Sequence, residues 1–272
     1  MKCDANDSGQ MNFDGSLGQY KILKTKDKTY TLFSEAFNEA CHSLDGAWDE
    51  TLFNYLEGCR IPEKSKEMGQ RPLSILEVGF GPGVGLQVVS DFYQKGPGGI
   101  SFYFTSLEID RGLVEWSMKN WPSSLPPLEG SFLKMGELSY FKGQCGLGKV
   151  LILIGNARET LKMAHKLEMI PEVHAIFQDP FSPKRNPLLW TVEWFKELKE
   201  MSSKDVTLST YSSSTSVRKS LQAAGWFMKN APGFSSKRTS TRAFLKGPSD
   251  QDVLDKLERA PINPLRDYKD ET

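Results

Sequence analysis

The sequence predicts a doubly wound α/β fold, a mainly parallel sheet with helices on both faces. Three observations predict it. From residue 73 to 246, short apolar runs with strand character alternate with segments of helical periodicity. The first of these runs breaks at a loop holding Gly79, Gly81, Gly83 and Gly85, and a helical segment comes directly after it. The chain has 272 residues, 39% hydrophobic and 25% charged, enough for a sizeable core and unlike a disordered composition.

Taken in order, residues 1–18 are polar and rich in Gly, Ser and Asp, and read as a flexible leader without the basic-then-apolar order of a secretory signal. Short alternations such as Tyr20, Ile22 and Tyr30, Leu32 predict a small β extension over 19–37. Residues 47–57 have helical spacing, with Trp48, Leu52, Phe53 and Leu56 on one side. Residues 60–72 are polar and read as a linker, so 19–72 forms an N-terminal extension. The core domain, 73–246, then contains seven expected strands, at 73–78, 100–107, 150–154, 173–177, 206–211, 226–229 and 241–246. Helices are expected at 84–93, 113–121, 159–169, 190–201 and 216–224. Residues 123–148 are rich in Pro and Gly and read as an insertion. The tail, 247–272, is charged and Pro-containing, and little order is expected there.

Composition narrows the function classes. No apolar run approaches the ~20 residues that span a bilayer. The four cysteines are widely spaced without a Cys-x-x-Cys pair, and the three histidines form no cluster. Reduced thiols, a cytoplasmic location and no metal are expected. The formal net charge is zero but uneven. Residues 209–246 contain Arg218, Lys219, Lys229, Lys237, Arg238, Arg242 and Lys246 and no Asp or Glu, a local charge of +7. An acid-free stretch of that kind suits a polyanionic partner, although each of these residues alone could be a solvated charge.

The glycine loop carries the first chemistry. Glycines let the backbone turn sharply and approach a ligand, and the helix behind them aims free N–H groups at it. A dinucleotide fingerprint needs Gly-x-Gly-x-x-Gly/Ala. Counting from Gly79 the last position is Val84, and from Gly81 it is Leu86, so neither start fits. Glu77 stands just before the loop and Glu108 ends the second strand, where a carboxylate can accept both hydroxyls of a ribose. Asn156 comes after the third strand; its amide could meet a base or simply make a turn. This spacing resembles the first motif of class I methyltransferases, with Glu77, Gly79, Gly81, Gly83, Glu108 and Asn156 as the cofactor set.

The most distinctive segment runs from Gln178 through Asp179-Pro180-Phe181-Ser182-Pro183-Lys184-Arg185-Asn186-Pro187 to Trp190. It puts a carboxylate and an aromatic ring between rigidifying prolines at a strand end. A carboxylate can orient an amine and accept its proton, although Asp179-Pro180 could also just start a turn. The segment resembles the Asp-Gly/Ala-Phe-Ser/Ala-Pro…Lys-Asn-Pro…Trp motif of the MnmC family's methyltransferase half. Thr31 to Glu35, His42-Ser43 with Gly46, Phe53 to Gly58, Ser209 to Ser214 with Val217 to Leu221, and Gly233-Phe234 with Lys237-Arg238 resemble further blocks of that family.

The resemblance implies a class I, Rossmann-like methyltransferase that uses S-adenosylmethionine to methylate the 5-aminomethyl nitrogen of a wobble (2-thio)uridine in a tRNA anticodon loop. It implies Asp179 as amine orienter, possible base and neighbour of the cofactor, with Phe181 and Tyr211 lining the pocket. Lys184, Arg185, Arg218, Lys219, Lys237, Arg238 and Arg242 would contact tRNA. A monomer is expected, with separate proteins for the earlier modification steps. The sequence departs from the family pattern at Gln178, at Pro180 in place of Gly or Ala, at Ser235 in place of Gly, and at Asn156 in place of Asp. Two other readings stay open: the same fold acting on a small-molecule amine such as a polyamine, and a non-catalytic tRNA-binding protein.

Overall fold

A computed structural model describes residues 12–96 and 99–267. The chain opens with a four-stranded antiparallel sheet of β1 (Asn12–Asp14), β2 (Gln19–Lys24), β3 (Tyr30–Ser34) and β4 (Glu39–Ala40). Helix α1 (Ala47–Thr51) runs directly into a π-helical turn, Leu52–Glu57, and then comes α2 (Ile61–Met68). The core alternates β5 (Leu73–Val78), α3 (Val84–Lys95), β6 (Phe102–Glu108) and α4 (Arg111–Lys119). A hairpin of β7 (Leu128–Met135) and β8 (Leu138–Cys145) leads into β9 (Gly148–Ile154), α5 (Ala157–Lys166) and β10 (Val173–Gln178). After a 3-10 turn, Pro187–Trp190, come α6 (Val192–Glu200), β11 (Ser202–Thr210), α7 (Thr215–Ala223), β12 (Phe227–Pro232), β13 (Thr239–Phe244) and α8 (Gln251–Arg259).

These core strands form one sheet in the order β12-β13-β11-β10-β5-β6-β9-β8-β7. The five central strands are parallel, and β5 lies in the middle with all six residues buried, as a strand covered on both faces must be. One face packs against Leu161, Trp194, Leu221 and Leu257 of α5 to α8, the other against Ile61, Val88 and Val114 of α2 to α4. Because β5 pairs with β10 on one side and β6 on the other, the chain reverses direction of winding at β5, and a crevice opens at the carboxyl ends of these strands.

The sheet has nine strands rather than seven. Residues 123–148 hold the extra pair, with β8 antiparallel to β9. Their glycines, which resemble loop punctuation in the sequence, are contact points: Gly130 faces Gly143 across the hairpin, and a Cβ on Gly148 would strike the Phe102 ring. Residues 60–72 contain α2 rather than a plain linker. Its Pro62 in the first turn and Gly69 (φ +61°) after the last are start and stop signals inside a polar composition.

The tail is likewise ordered as far as residue 267. Helix α8 buries Val253 and Leu257, and Asp267 pairs with Arg158 at 2.8 Å. Of the expected leader, residues 1–11 lie outside the described residues. The remainder is tied down: the backbone N–H groups of Ser16 and Leu17 donate to the Asp110 carboxylate. Among the described residues no helix is long and apolar enough to cross a membrane.

Candidate active site

The crevice is a cavity of about 490 Å³. Its floor comes from strand ends: Gly79 and Gly81 after β5, Glu108 closing β6, Gly155 and Asn156 after β9, Asp179 after β10 and Tyr211 after β11. Its roof is the N-terminal sheet with its flanking turns, which bring Phe37, Glu39, Cys41 and His42, together with Glu50 from α1. Lys237 reaches in from the connection between β12 and β13.

The loop after β5 needs its glycines at two points. Gly79 has φ +96°, and a Cβ there would lie 2.9 Å from the Asp179 carbonyl oxygen. Gly83 has φ +79° and precedes α3, and its missing Cβ makes room for Ser117 Oγ and the Phe80 ring. Gly81 N–H donates to the Glu108 carboxylate at 2.9 Å, and Asp110 N–H donates to its other oxygen at 3.0 Å. Burial pushes the Glu108 carboxyl up to about 7, against the pull of those amides.

Two members of the expected cofactor set lie elsewhere. Glu77 is absent from the cavity wall; its carboxylate accepts from Ser106 Oγ at 2.7 Å under Gly85, where any Cβ would collide with it. Gly83 packs on α4 and shapes the loop from behind. Asn156 borders the cavity, but its carbonyl caps α5 by accepting from Arg158 N–H at 3.0 Å, and its amide donates to Glu159. A capping role explains why an amide serves where a carboxylate was expected.

Asp179 sits opposite the glycine loop with its side chain 15% exposed. Tyr55 Oη donates to Asp179 Oδ1 at 2.5 Å, and His42 Nε2 lies 4.0 Å from Oδ2. Burial, then the charge of Glu50, hold this carboxyl well above the usual range, while the Tyr55 hydrogen bond and Lys237 pull it down. Phe181 stacks on Phe37 with ring centroids 4.5 Å apart, and its carbonyl accepts from Trp190 Nε1. Tyr211 donates to the Pro180 carbonyl at 2.9 Å, and Lys237 lies 4.6 Å over the Tyr211 ring while pairing with Glu50 at 3.2 Å.

Gln178, the first departure, is fully buried. It accepts from Trp194 Nε1 and donates to the Leu189 carbonyl, which fixes the loop behind Asp179. Ser235, where Gly was expected, has φ +53°, the region that favours Gly.

The basic residues divide. Lys184, Arg185, Lys237 and Arg238 are exposed. Arg218 and Arg242 are buried and do not present their charge to a partner: Arg218 donates to Thr241 Oγ1 and the Ser240 carbonyl, Arg242 to Ser240 Oγ and the Thr241 carbonyl. Lys219 is half-buried and donates to the Ala260 carbonyl at 2.7 Å. These three are structural cations rather than phosphate contacts. Tyr55, Glu39, His42 and Glu50 went unseen in the sequence as site residues; His42 and Tyr55 lie inside family-like blocks, the one signal that could have pointed to them.

A methyltransferase family described as S-adenosyl-L-methionine-dependent matches residues 127–246. A crystal structure of MnmC2 from Aquifex aeolicus superposes with a TM-score of 0.71 at 28% identity, covering 93% of this chain and 80% of that one. The chain is thus similar to MnmC2 over nearly its whole length. It is 30% identical over 225 residues to the tRNA 5-methylaminomethyl-2-thiouridine biosynthesis bifunctional protein MnmC of Nitrosospira multiformis, covering 80% of this chain and 36% of that one. The protein of the same name from Pseudomonas paraeruginosa is 29% identical over 227 residues, covering 79% and 34%. The chain thus spans about a third of the length of these curated relatives.

Its cofactor is S-adenosyl-L-methionine. The cavity suits that molecule: it is large enough, and its wall combines the Gly79 and Gly81 backbone with the Glu108 carboxylate, a group able to accept hydroxyl hydrogen bonds. Among the described residues no group of three or more His, Cys, Asp or Glu could hold a metal ion.

Proposed function

We propose that this methyltransferase acts on the 5-aminomethyl nitrogen of a wobble uridine or 2-thiouridine in tRNA, giving the 5-methylaminomethyl product, in the cytoplasm. The observation that carries the proposal is the meeting of Asp179 with the glycine loop in one cavity, the Asp179 backbone packed against Gly79 and Glu108 in the same wall. When bound, S-adenosyl-L-methionine supplies an already activated methyl group. The chain's own residues then have to align and deprotonate a nitrogen, and alignment is the larger part of the task.

Asp179 is the group for both roles. Its carboxylate can accept a hydrogen bond from the incoming amine, which points the lone pair away from it and toward the methyl, and it can take the proton released when the N–C bond forms. Phe181 and Tyr211 wall the acceptor side. Glu39 and Glu50 add negative charge there, which favours a substrate bearing an amino group. The exposed Lys184, Arg185, Lys237 and Arg238 are the candidate phosphate contacts. The names of the relatives, which specify 5-methylaminomethyl-2-thiouridine in tRNA, support this choice of acceptor over a free amine.

The test uses tRNA carrying 5-aminomethyl-2-thiouridine, S-adenosyl-L-methionine and nucleoside mass spectrometry. The wild-type protein should form the methylaminomethyl nucleoside. Asp179→Ala should slow a single turnover by ~100-fold or more while leaving cofactor affinity nearly unchanged. Methylation of spermidine but not of this tRNA would move the assignment to a small-molecule amine.

A further inference from the structure

Asp179 is a carboxylate on a loop, and an amine-orienting group is useful only if its oxygens are fixed. The backbone alone cannot do this, because a carboxylate turns about its last torsion over a broad, roughly two-fold well. One side chain supplies the constraint. Tyr55 Oη donates to Asp179 Oδ1 at 2.5 Å, within the range of a charge-assisted O–H···O⁻ bond. The ring is itself immobilised: it is 1% exposed and stacks on Phe177 of β10 at 5.3 Å, the strand that leads directly into Asp179. Burial and the neighbouring Asp179 charge hold the Tyr55 hydroxyl in its protonated form, so it is the donor.

Tyr55 sits inside the π-helical turn. A π turn inserts an extra residue into the helical count, and such turns occur frequently at functional sites. Oδ1 is engaged by Tyr55, whereas Oδ2 accepts no hydrogen bond from the described residues, its approach to His42 Nε2 being 4.0 Å, and so has its full capacity for an acceptor nitrogen. We infer that Tyr55 is a positioning residue for the methyl transfer, holding Asp179 so that Oδ2 is presented to the acceptor amine. The inference rests on the role proposed for Asp179.

Its consequence is specific. Removing the hydroxyl leaves the packing of the ring in place but frees the carboxylate. Besides Tyr55, the titratable groups around Asp179 are Glu39, Cys41, His42, Glu50, Glu77, Tyr211 and Lys237. With those unchanged, loss of a hydrogen bond that pulls the Asp179 carboxyl down must let its pKa rise.

The experiment compares wild type, Tyr55→Phe and Asp179→Asn, each folded by circular dichroism, in single-turnover methylation of tRNA bearing 5-aminomethyl-2-thiouridine between pH 6 and pH 9. Tyr55→Phe should lower the rate at the optimum by about tenfold. Its acid limb should move to higher pH, and calorimetric affinity for S-adenosyl-L-methionine should stay within twofold of wild type. A purely structural tyrosine would lower the melting temperature without moving the acid limb. Asp179→Asn inactive with Tyr55→Phe at the wild-type rate and profile overturns the role of Tyr55 alone. Asp179→Asn at the wild-type rate overturns the role of Asp179, and this inference with it.

Discussion

If Glu108 holds the ribose as expected, this one side chain ties cofactor binding to pH. Its carboxyl is pushed up from 4.5 to about 7 by burial, so near neutrality the protein without cofactor is a mixture of acid and carboxylate. Ribose hydroxyls donate hydrogen bonds, and the carboxylate is the form that accepts two of them. Affinity for S-adenosyl-L-methionine should therefore fall about tenfold per pH unit below about 7 and level off above it. Stability runs the other way. A folded-state pKa raised above the unfolded value adds stability below about 4.5 that is lost as pH rises through about 7. Glu108→Gln should flatten the binding profile and weaken affinity at pH 8 by about 1–3 kcal/mol, read by calorimetry. A wild-type profile with no inflection between pH 6 and 8 would remove Glu108 from ribose binding. The position of Glu108 was legible in the sequence, because a strand end in an αβ repeat has a known place relative to the loop before it. The partners of Asp179 were not. Tyr55, His42 and Glu50 lie more than 120 residues away along the chain and reach it only through folding.

At the scale of elements, the C-terminal segment carries the clearest consequence. Helix α8 puts Val253 and Leu257 into the cluster that also holds Trp194 and Leu221, and the extended chain beyond it brings Asp267 to Arg158. Arg158 also pairs with Glu197 at 2.6 Å and borders the cavity. Leu257→Ala should then cost about 2–4 kcal/mol of stability, the range for truncating a buried leucine. A denaturant titration would measure it, and an unchanged midpoint would mean that α8 is not part of the folded core. The repeating strands and helices of the core were legible because fully buried strands such as β5 are apolar throughout and the helices between them keep a regular stripe. Elements without those signals were not. Only Val253 and Leu257 of α8 are buried, in a helix whose other positions are mostly charged, and the β7–β8 hairpin spends glycines where strands usually carry branched side chains.

For the whole molecule the question is how a chain of zero net charge would hold a polyanion. The answer in this structure is distribution. Burial withdraws Arg218 and Arg242 from the +7 stretch, and Lys219 is tied to a backbone carbonyl, so the stretch has less charge to offer than its composition suggests. What remains available includes Lys184 and Arg185 on the Asp179 loop and Arg238 before β13, while Lys237 is exposed but paired with Glu50. Their charges lie close in sequence to two walls of the cavity, the arrangement needed to place one nucleotide of a larger anion at Asp179. Phosphate contacts displace counterions, so binding should weaken with salt in proportion to the number of contacts. Filter binding of tRNA across a salt series reads that number directly. Replacing Lys184 and Arg185 together with Ala should lower the slope of log affinity against log salt by about 1.5, since each lost contact removes ~0.7–0.9. Cofactor affinity should not change, because neither residue touches the glycine loop or Glu108. Lys219→Ala should leave the slope where it was, because that amine already has a partner inside the fold. A flat salt response in the wild-type protein would leave the methyltransferase standing and remove tRNA as what it binds. Equal slopes for wild type and the Lys184, Arg185 variant would instead shift the contact surface to other cations.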